Sequence, residues 1–232
     1  KTKRFIQKKI KKDDISRKYV DKNIIDKIPQ QYLEFENRNQ VRNELDKQGA
    51  LDKKHYLLTI ATGADQAYID NTDLKNAHKY LDFINVMCYD FYHGWYYQTG
   101  HHANLYPSNK ERFKGNSGHE AITRHINAGV PSNKLIMGIP FYGRYWGKVK
   151  TENEGLYQTS MNTGIIVPYW DILQKISSGD YMKSYDSSAK ASYLWSASDS
   201  IFISWETPKE IEQKVLVLSS DNVLGQFKPS DE

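Results

Sequence analysis

Three short apolar runs, separated by segments of helical spacing, set the limits on how this chain can fold. The runs are HYLLTIAT (55–62), DFINVMCYDF (82–91) and KLIMGIPFYG (134–143). A strand covered on both faces reads as a nearly continuous apolar stretch, which is what these are. Between them DLKNAHKYL (73–81) reads as a short helix, and HEAITRHINAG (119–129) as a longer one closed by Gly129 at its C′ position. Strand, helix, strand in this rhythm is the signature of parallel βα units, with right-handed crossovers. Strands near 56–61, 83–89 and 135–140 are therefore expected side by side and in sequence order. Residues 34–48 add a helical pattern through Phe35, Val41 and Leu45. Residues 207–220 add a helix with Thr207 as N-cap, Pro208 at N1 and Glu210 at N3. A weaker strand, NVLGQF, follows at 222–227. The stretch 148–200 breaks the rhythm with mixed short elements rich in Tyr, Ser and Thr, and reads as an inserted α+β subdomain. The expected division is a basic, unassigned segment at 1–30, βα units at 31–147, the insertion at 148–200, and a last helix and strand at 201–232.

Charge and composition exclude more than they assign. Seven Lys or Arg fall in the first twelve residues, yet the net charge is only +4. No Arg and aromatic interleaving accompanies that cluster, so a solvated helix face is favoured over a nucleic-acid or membrane arm. No run of 18 apolar residues is present, so no membrane span is expected. Cys88 is the only cysteine, which rules out an internal disulfide and a zinc site built on paired thiolates. No signal peptide is visible at the start. Aromatics reach 13 %, with 17 Tyr and 5 Trp. That excess fits either a Tyr-rich core, which composition favours, or a carbohydrate groove in which sugar C–H faces lie on flat rings.

Two strand ends carry chemistry. In α/β barrels the reacting groups sit where strands end. The run MCYDFYHGW closes a strand with Met87, Tyr89, Asp90 and Trp95, and GIPFYGRYW closes another with Tyr142, Arg144 and Trp146. Side chains alternate along a strand, so a bend is needed for Tyr89 and Asp90 to share one mouth. Each end could simply be a strand capped by solvated polar groups. Tyr, a charge and Trp at both ends are equally compatible with a site for a sugar or other polyol.

The segments YLLTIATGA, LDFINVMCYDF with the later GHHANLY, KLIMGIPFYGRYW and ISWETPKEIEQKV, in this order, resemble glycoside hydrolase family 18. The resemblance covers about residues 30–227. VPYWDILQKI and SYDSSAKASYLW look like parts of that family's α+β insertion. It implies an α/β fold that is part of a (β/α)8 TIM barrel, strands five to eight, with an inserted α+β subdomain. It implies chitinase chemistry on β-1,4-linked N-acetylglucosamine polymers, outside the usual two-carboxylate scheme, in which the substrate's own N-acetyl oxygen attacks the anomeric carbon. By the match, Tyr89 hydrogen-bonds the acetamide, Asp90 contacts the sugar, and Met87 lines the pocket floor. Tyr142 and Arg144 line the groove, while Trp95, Tyr106 and Trp146 are candidates for stacking. The implied partner is chitin or its oligosaccharides, with no cofactor or metal, no nucleic acid, and an extracellular setting.

The sequence departs from the family in two places. The family's acid stands in an Asp-x-x-Asp-x-Asp-x-Glu run, and no such run occurs in these 232 residues. The family's last strand ends in Trp-Glu after a Gly-Gly, whereas NVLGQFKPSDE holds no Trp. Glu206 follows Trp205 ahead of a helix and matches a structural segment rather than the acid. His101 and His102 are adjacent, a poor arrangement for ligating one metal, and are expected to be structural. The chain by itself is expected to be inactive, with an N-terminal half barrel as its missing partner. The alternative is a chitin-oligosaccharide-binding protein or fragment without catalysis.

Overall fold

The computed structural model describes residues 38–94, 96–111 and 116–220. The basic segment 1–30, the strand expected at 222–227 and Trp95 lie outside the described residues. The chain divides into two compact units, one of residues up to 58 with 79–82, the other of 59–78 with everything from 83 onward.

In the first unit, helix α1 (Arg38–Asp52) covers most of the pattern expected at 34–48. Asp82 is the hub of this unit's polar contacts. It accepts hydrogen bonds from the Leu58 backbone N–H at 2.6 Å and from Arg42 Nη1 at 3.3 Å, and pairs with His55 Nε2 at 2.5 Å. Burial would raise its pKa, but the bonds from Leu58 and His55 hold it below the usual carboxylate value.

The second unit holds two sheets. In the first, β1 (Thr59–Thr62), β2 (Phe83–Val86) and β3 (Leu135–Met137) are parallel and adjacent in sequence order. Thr59 registers with Phe83, and Ile84 with Leu135. Ile84 and Val86 are fully buried, but Phe83 and Asn85 are only half-buried and β1 buries Thr62 alone, so the apolar runs are not covered on both faces as expected. Between the strands lie α2 (Gln66–Asp70), α3 (Leu74–Ala77) and α4 (Gly118–Asn127). Asp65, Asp73 and Ser117 cap them by accepting backbone N–H bonds from Tyr68, Asn76 and Glu120. Gly129 follows α4 at φ +90°, the left-handed geometry expected of a C′ glycine.

The apolar run from 134 to 143 is not one strand, contrary to its appearance in the sequence. The strand stops at Met137: the Gly138 N–H makes the last ladder bond, to Val86 O, and Pro140 has no N–H to continue it. The chain then enters a second sheet as β4 (Tyr142–Trp146). That sheet also contains β5 (Ile165–Pro168), β6 (Met182–Asp186), β7 (Ala191–Ser196) and β8 (Ile201–Trp205). The order is β5-β4-β8-β7-β6, every neighbouring pair antiparallel. Helix α5 (Tyr169–Ser178) places Ile172 among Val167, Leu194, Ile203 and Trp205 to form a core. The sheet thus draws on strands from both sides of 148–200. Helix α6 (Pro208–Ser220) begins with Glu210 accepting the Thr207 backbone N–H at 2.7 Å, the capping box of the sequence. No helix among the described residues is long and apolar enough to cross a membrane.

Candidate active site

The site begins where β2 ends. Past Val86 the ladder breaks: the Cys88 N–H bonds back to Val86 O at 2.8 Å. Asp90 adopts φ +62°, a left-handed conformation that Asp tolerates better than most residues. The break has two effects. Cys88 turns inward, wholly buried, where burial pushes its thiol up to about 12 and makes it inert at neutral pH. Met87, Tyr89 and Asp90, which strict alternation would divide between two faces, all line one cavity of about 290 Å³. Gly138 makes this possible, since a Cβ there would stand 2.8 Å from Val86 O and 3.0 Å from Tyr89 Cε1.

Arg144 reaches the same place from β4. Its Nε donates to Asp90 Oδ1 at 2.8 Å and its Nη2 to Oδ2 at 2.7 Å, a bidentate pair. Its Nη1 donates to Gly164 O at 3.2 Å, which anchors the guanidinium. Tyr142, two residues earlier on β4, packs edge-on against Tyr89 with ring centroids 6.2 Å apart. His102 lies behind, with Nδ1 3.7 Å from Asp90 Oδ1. Burial alone would raise the Asp90 pKa. The nearby His102 ring, the donors Arg144 and Tyr142, and the Arg144 charge together outweigh burial and hold the carboxyl well below the usual range. Burial and the Asp90 anion push the Tyr142 hydroxyl the other way, above its ordinary value, so it remains a donor. Tyr89 is raised for the same two reasons. The mouth therefore presents a carboxylate beside phenolic O–H groups, with Met87, 38 % exposed, on the wall.

Asp90 and Arg144 thus meet, but not as ends of adjacent parallel strands. One comes from the bend after β2 and the other from the antiparallel sheet. Tyr106 does not line the cavity. Its ring packs tilted against His119 at 5.4 Å, and its carbonyl takes a bond from Asn104, which also bonds the carbonyl of cavity-lining Asn116. Trp146 offers no face to a sugar. It is 0 % exposed, donates its indole N–H to Tyr96 O at 3.1 Å and packs on Phe202. Sequence reasoning missed His93, Tyr96 and Asn116 in the lining. His93 and Tyr96 flank the Gly-Trp of the MCYDFYHGW segment, so their proximity to Asp90 was a usable signal. Asn116 had none.

Glu206 is not at this mouth. It is buried against Lys214 on α6, whose Nζ also donates to Ala103 O. Burial raises the Glu206 pKa, with Lys214 opposing. His101 is buried too, with Nε2 3.3 Å from Asp186 Oδ2. Among the described residues no group of three or more His, Cys, Asp or Glu could hold a metal ion.

The family model for glycosyl hydrolases family 18 matches residues 14–227. The chain belongs to glycosyl hydrolase family 18. Chitinase A1 of Niallia circulans is 33% identical over 205 residues, covering 81% of this chain and 29% of that protein. Chitinase 1 of Aphanocladium album is 34% identical over 192 residues, covering 80% of this chain and 44% of the relative. The family 18 chain thus spans under half the length of these relatives. Among solved structures, a family 18 N-acetylglucosaminidase from Paenibacillus barengoltzii superposes with a TM-score of 0.77 at 36% identity, over 82% of this chain and 56% of that one. A mutant class V chitinase of tobacco, in complex with NAG4, gives 0.73 at 27% identity, over 81% and 56%.

Proposed function

We propose that this family 18 chain is the C-terminal half of a chitinase barrel and supplies the acetamide-positioning side of its site. The observation that carries the reading is that Tyr89 and Asp90 line one cavity, with Arg144 paired to Asp90 and Tyr142 packed against Tyr89 behind them. In this reading β1, β2 and β3 are strands five, six and seven of a (β/α)8 barrel, and the antiparallel sheet is the inserted subdomain. The free edge of β1 then pairs with an N-terminal half barrel, which also closes the open apolar face, while strand eight follows β3.

The reaction is retaining hydrolysis of β-1,4-linked N-acetylglucosamine polymers, with the substrate's acetamide oxygen as nucleophile. Tyr89 donates a hydrogen bond to the acetamide and holds it in attack geometry. Asp90, fixed as an anion, accepts from the sugar and stabilises positive charge developing in the transition state. Met87 lines the floor, and Tyr142, Arg144 and Trp95 shape the groove. Trp146 is excluded by its burial. The proton for the leaving oxygen comes from a carboxylic acid on the missing half, and the setting is extracellular.

The lack of an Asp-x-x-Asp-x-Asp-x-Glu run among the 232 residues favours a second reading, an oligosaccharide-binding protein without catalysis. One experiment tests both. The chain is incubated with a chitin oligomer bearing a fluorescent aglycone, and binding of chitin trimer is compared with that of cellotriose, which lacks the acetamide. We expect saturable binding of the trimer alone and no steady aglycone release, since loss of general acid catalysis costs about 10²–10⁴-fold. Equal binding of the two trimers would end the acetamide reading. Steady release abolished by one carboxylate change would show that the acid lies within this chain.

A further inference from the structure

His102 is wholly buried, and neither of its ring nitrogens has a hydrogen-bond partner. Such a group is uncommon, because buried polar atoms are nearly always satisfied. Its main chain is pinned to β8 by the bond from its N–H to Ser204 Oγ at 2.9 Å. Its ring lies 5.4 Å from that of Tyr142. Asp90 Oδ1 lies 3.7 Å from Nδ1, a few tenths of an ångström beyond hydrogen-bond range. Active-site bonds of this kind often tighten only when ligand is bound.

We propose that His102 is the positioning residue of Asp90: as the Nδ1–H tautomer it donates to Oδ1, the oxygen that Arg144 Nε also holds. A bidentate Arg–carboxylate pair is planar and can still rock as a unit on the Asp90 side chain. A third donor from the core, on a backbone fixed to another strand, removes that freedom. Asp90 then offers its remaining acceptor capacity to a sugar in one direction. This consequence for sugar binding rests on the function proposed above, whereas the contact itself does not.

The groups that face the ring set its charge state. Asp90 approaches from the bend after β2, Tyr142 and Arg144 from β4, Ser204 from β8, and the Lys214 ammonium acts from α6. Burial is the largest influence and favours the neutral ring, Lys214 and Arg144 favour it too, and Asp90 alone opposes them. A neutral imidazole can donate to Asp90 only with its proton on Nδ1. The other tautomer would set a bare lone pair against the carboxylate.

Two NMR readouts on the chain test the assignment. In wild-type protein, ¹⁵N shifts should show a protonated Nδ1 and a bare Nε2 at pH 7; the reverse pattern overturns the proposal. The ¹³C titration of the Asp90 carboxyl should move upward by about one pH unit in His102→Phe, which keeps ring volume but loses the donor. It should return toward wild type in His102→Asn, whose amide N–H can donate. A Phe variant with the wild-type midpoint would mean that His102 only fills space. Should the Phe variant fail to fold, the tautomer and the Asn midpoint still decide. Chitin-trimer affinity should fall about tenfold in His102→Phe, about 1.4 kcal/mol. If wild type binds no trimer while both NMR results are as expected, the sugar-site reading fails and the His102–Asp90 contact stands.

Discussion

The Arg144 guanidinium holds the Asp90 carboxylate along both oxygens, at 2.8 and 2.7 Å, joining the bend after a parallel strand to the first strand of an antiparallel sheet. Lysine cannot reproduce that fork, because an ammonium is a point donor rather than a planar one. Arg144→Lys should therefore destabilise the fold by about 1.5–3 kcal/mol, the usual worth of hydrogen bonds to a charged group. It should also raise the Asp90 carboxyl pKa. Urea denaturation and the Asp90 ¹³C titration check the two effects. An unchanged urea midpoint with an unchanged titration would contradict them.

The pH dependence of stability has a defined sign. Burial, as the largest influence, lowers the pKa of His102 and His125, so the unfolded chain takes up those protons first as pH falls past about 6.5. Stability should then decline from about pH 6.5 downward. The carboxyls of Asp90 and Asp186 are held low against burial by their hydrogen bonds. Their stabilisation is complete above the unfolded value of about 3.9 and is lost as pH drops toward the folded one. Glu206 is raised by burial and works in the opposite sense, costing stability as pH rises past about 4.3. Since the histidines dominate between pH 7 and 5, the urea midpoint should fall over that interval, and His102→Asn should flatten the slope. A midpoint that rises on acidification would refute the assignment of buried neutral histidines.

The Glu206–Lys214 pair tests how buried charge is tolerated. Lys214 is fully buried and also donates to Ala103 O. Lys214→Met strands the Glu206 carboxylate and should cost about 3–5 kcal/mol. Adding Glu206→Gln removes the stranded charge and should recover part of that loss. Thermal melts of the single and double variants make the comparison. A double variant less stable than Lys214→Met alone would show that Glu206 is satisfied by something other than Lys214.

Trp146 separates a core role from a sugar-stacking role. Because it is fully buried, Trp146→Ala should lower stability by about 3–5 kcal/mol. The sugar affinity of the folded fraction should stay at the wild-type value. A large loss of affinity with an unaltered melting temperature would restore Trp146 to the groove.

Much of the fold is legible in the chain because local signals agree with tertiary ones. The runs holding Ile60, Ile84 and Leu135 mark the three parallel strands, although β1 buries Thr62 alone, and Thr207, Pro208 and Glu210 announce the start of α6. The limit of β3 is less visible: KLIMGIPFYG reads as one apolar run, and only Pro140 hints that it serves two sheets. The site is legible in composition but not in geometry. Tyr89, Asp90 and Arg144 stand out as polar groups at apolar ends, yet their meeting depends on a left-handed φ at Asp90, which no spacing encodes. Sequence casts His102 as structural, because adjacent histidines make poor metal ligands. Its neighbour at 3.7 Å lies twelve residues away in sequence across a change of direction, beyond any periodic argument.

Saturation-transfer difference NMR with chitin trimer tests the central claim most directly, since it reports which ligand protons touch the protein. If Tyr89 and Asp90 hold an acetamide, the N-acetyl methyl protons should receive the strongest saturation in wild type. That signal should fall selectively in Tyr89→Ala, with the ring protons less affected. Uniform saturation, or a methyl signal that survives Tyr89→Ala unchanged, would contradict an acetamide site at the end of β2.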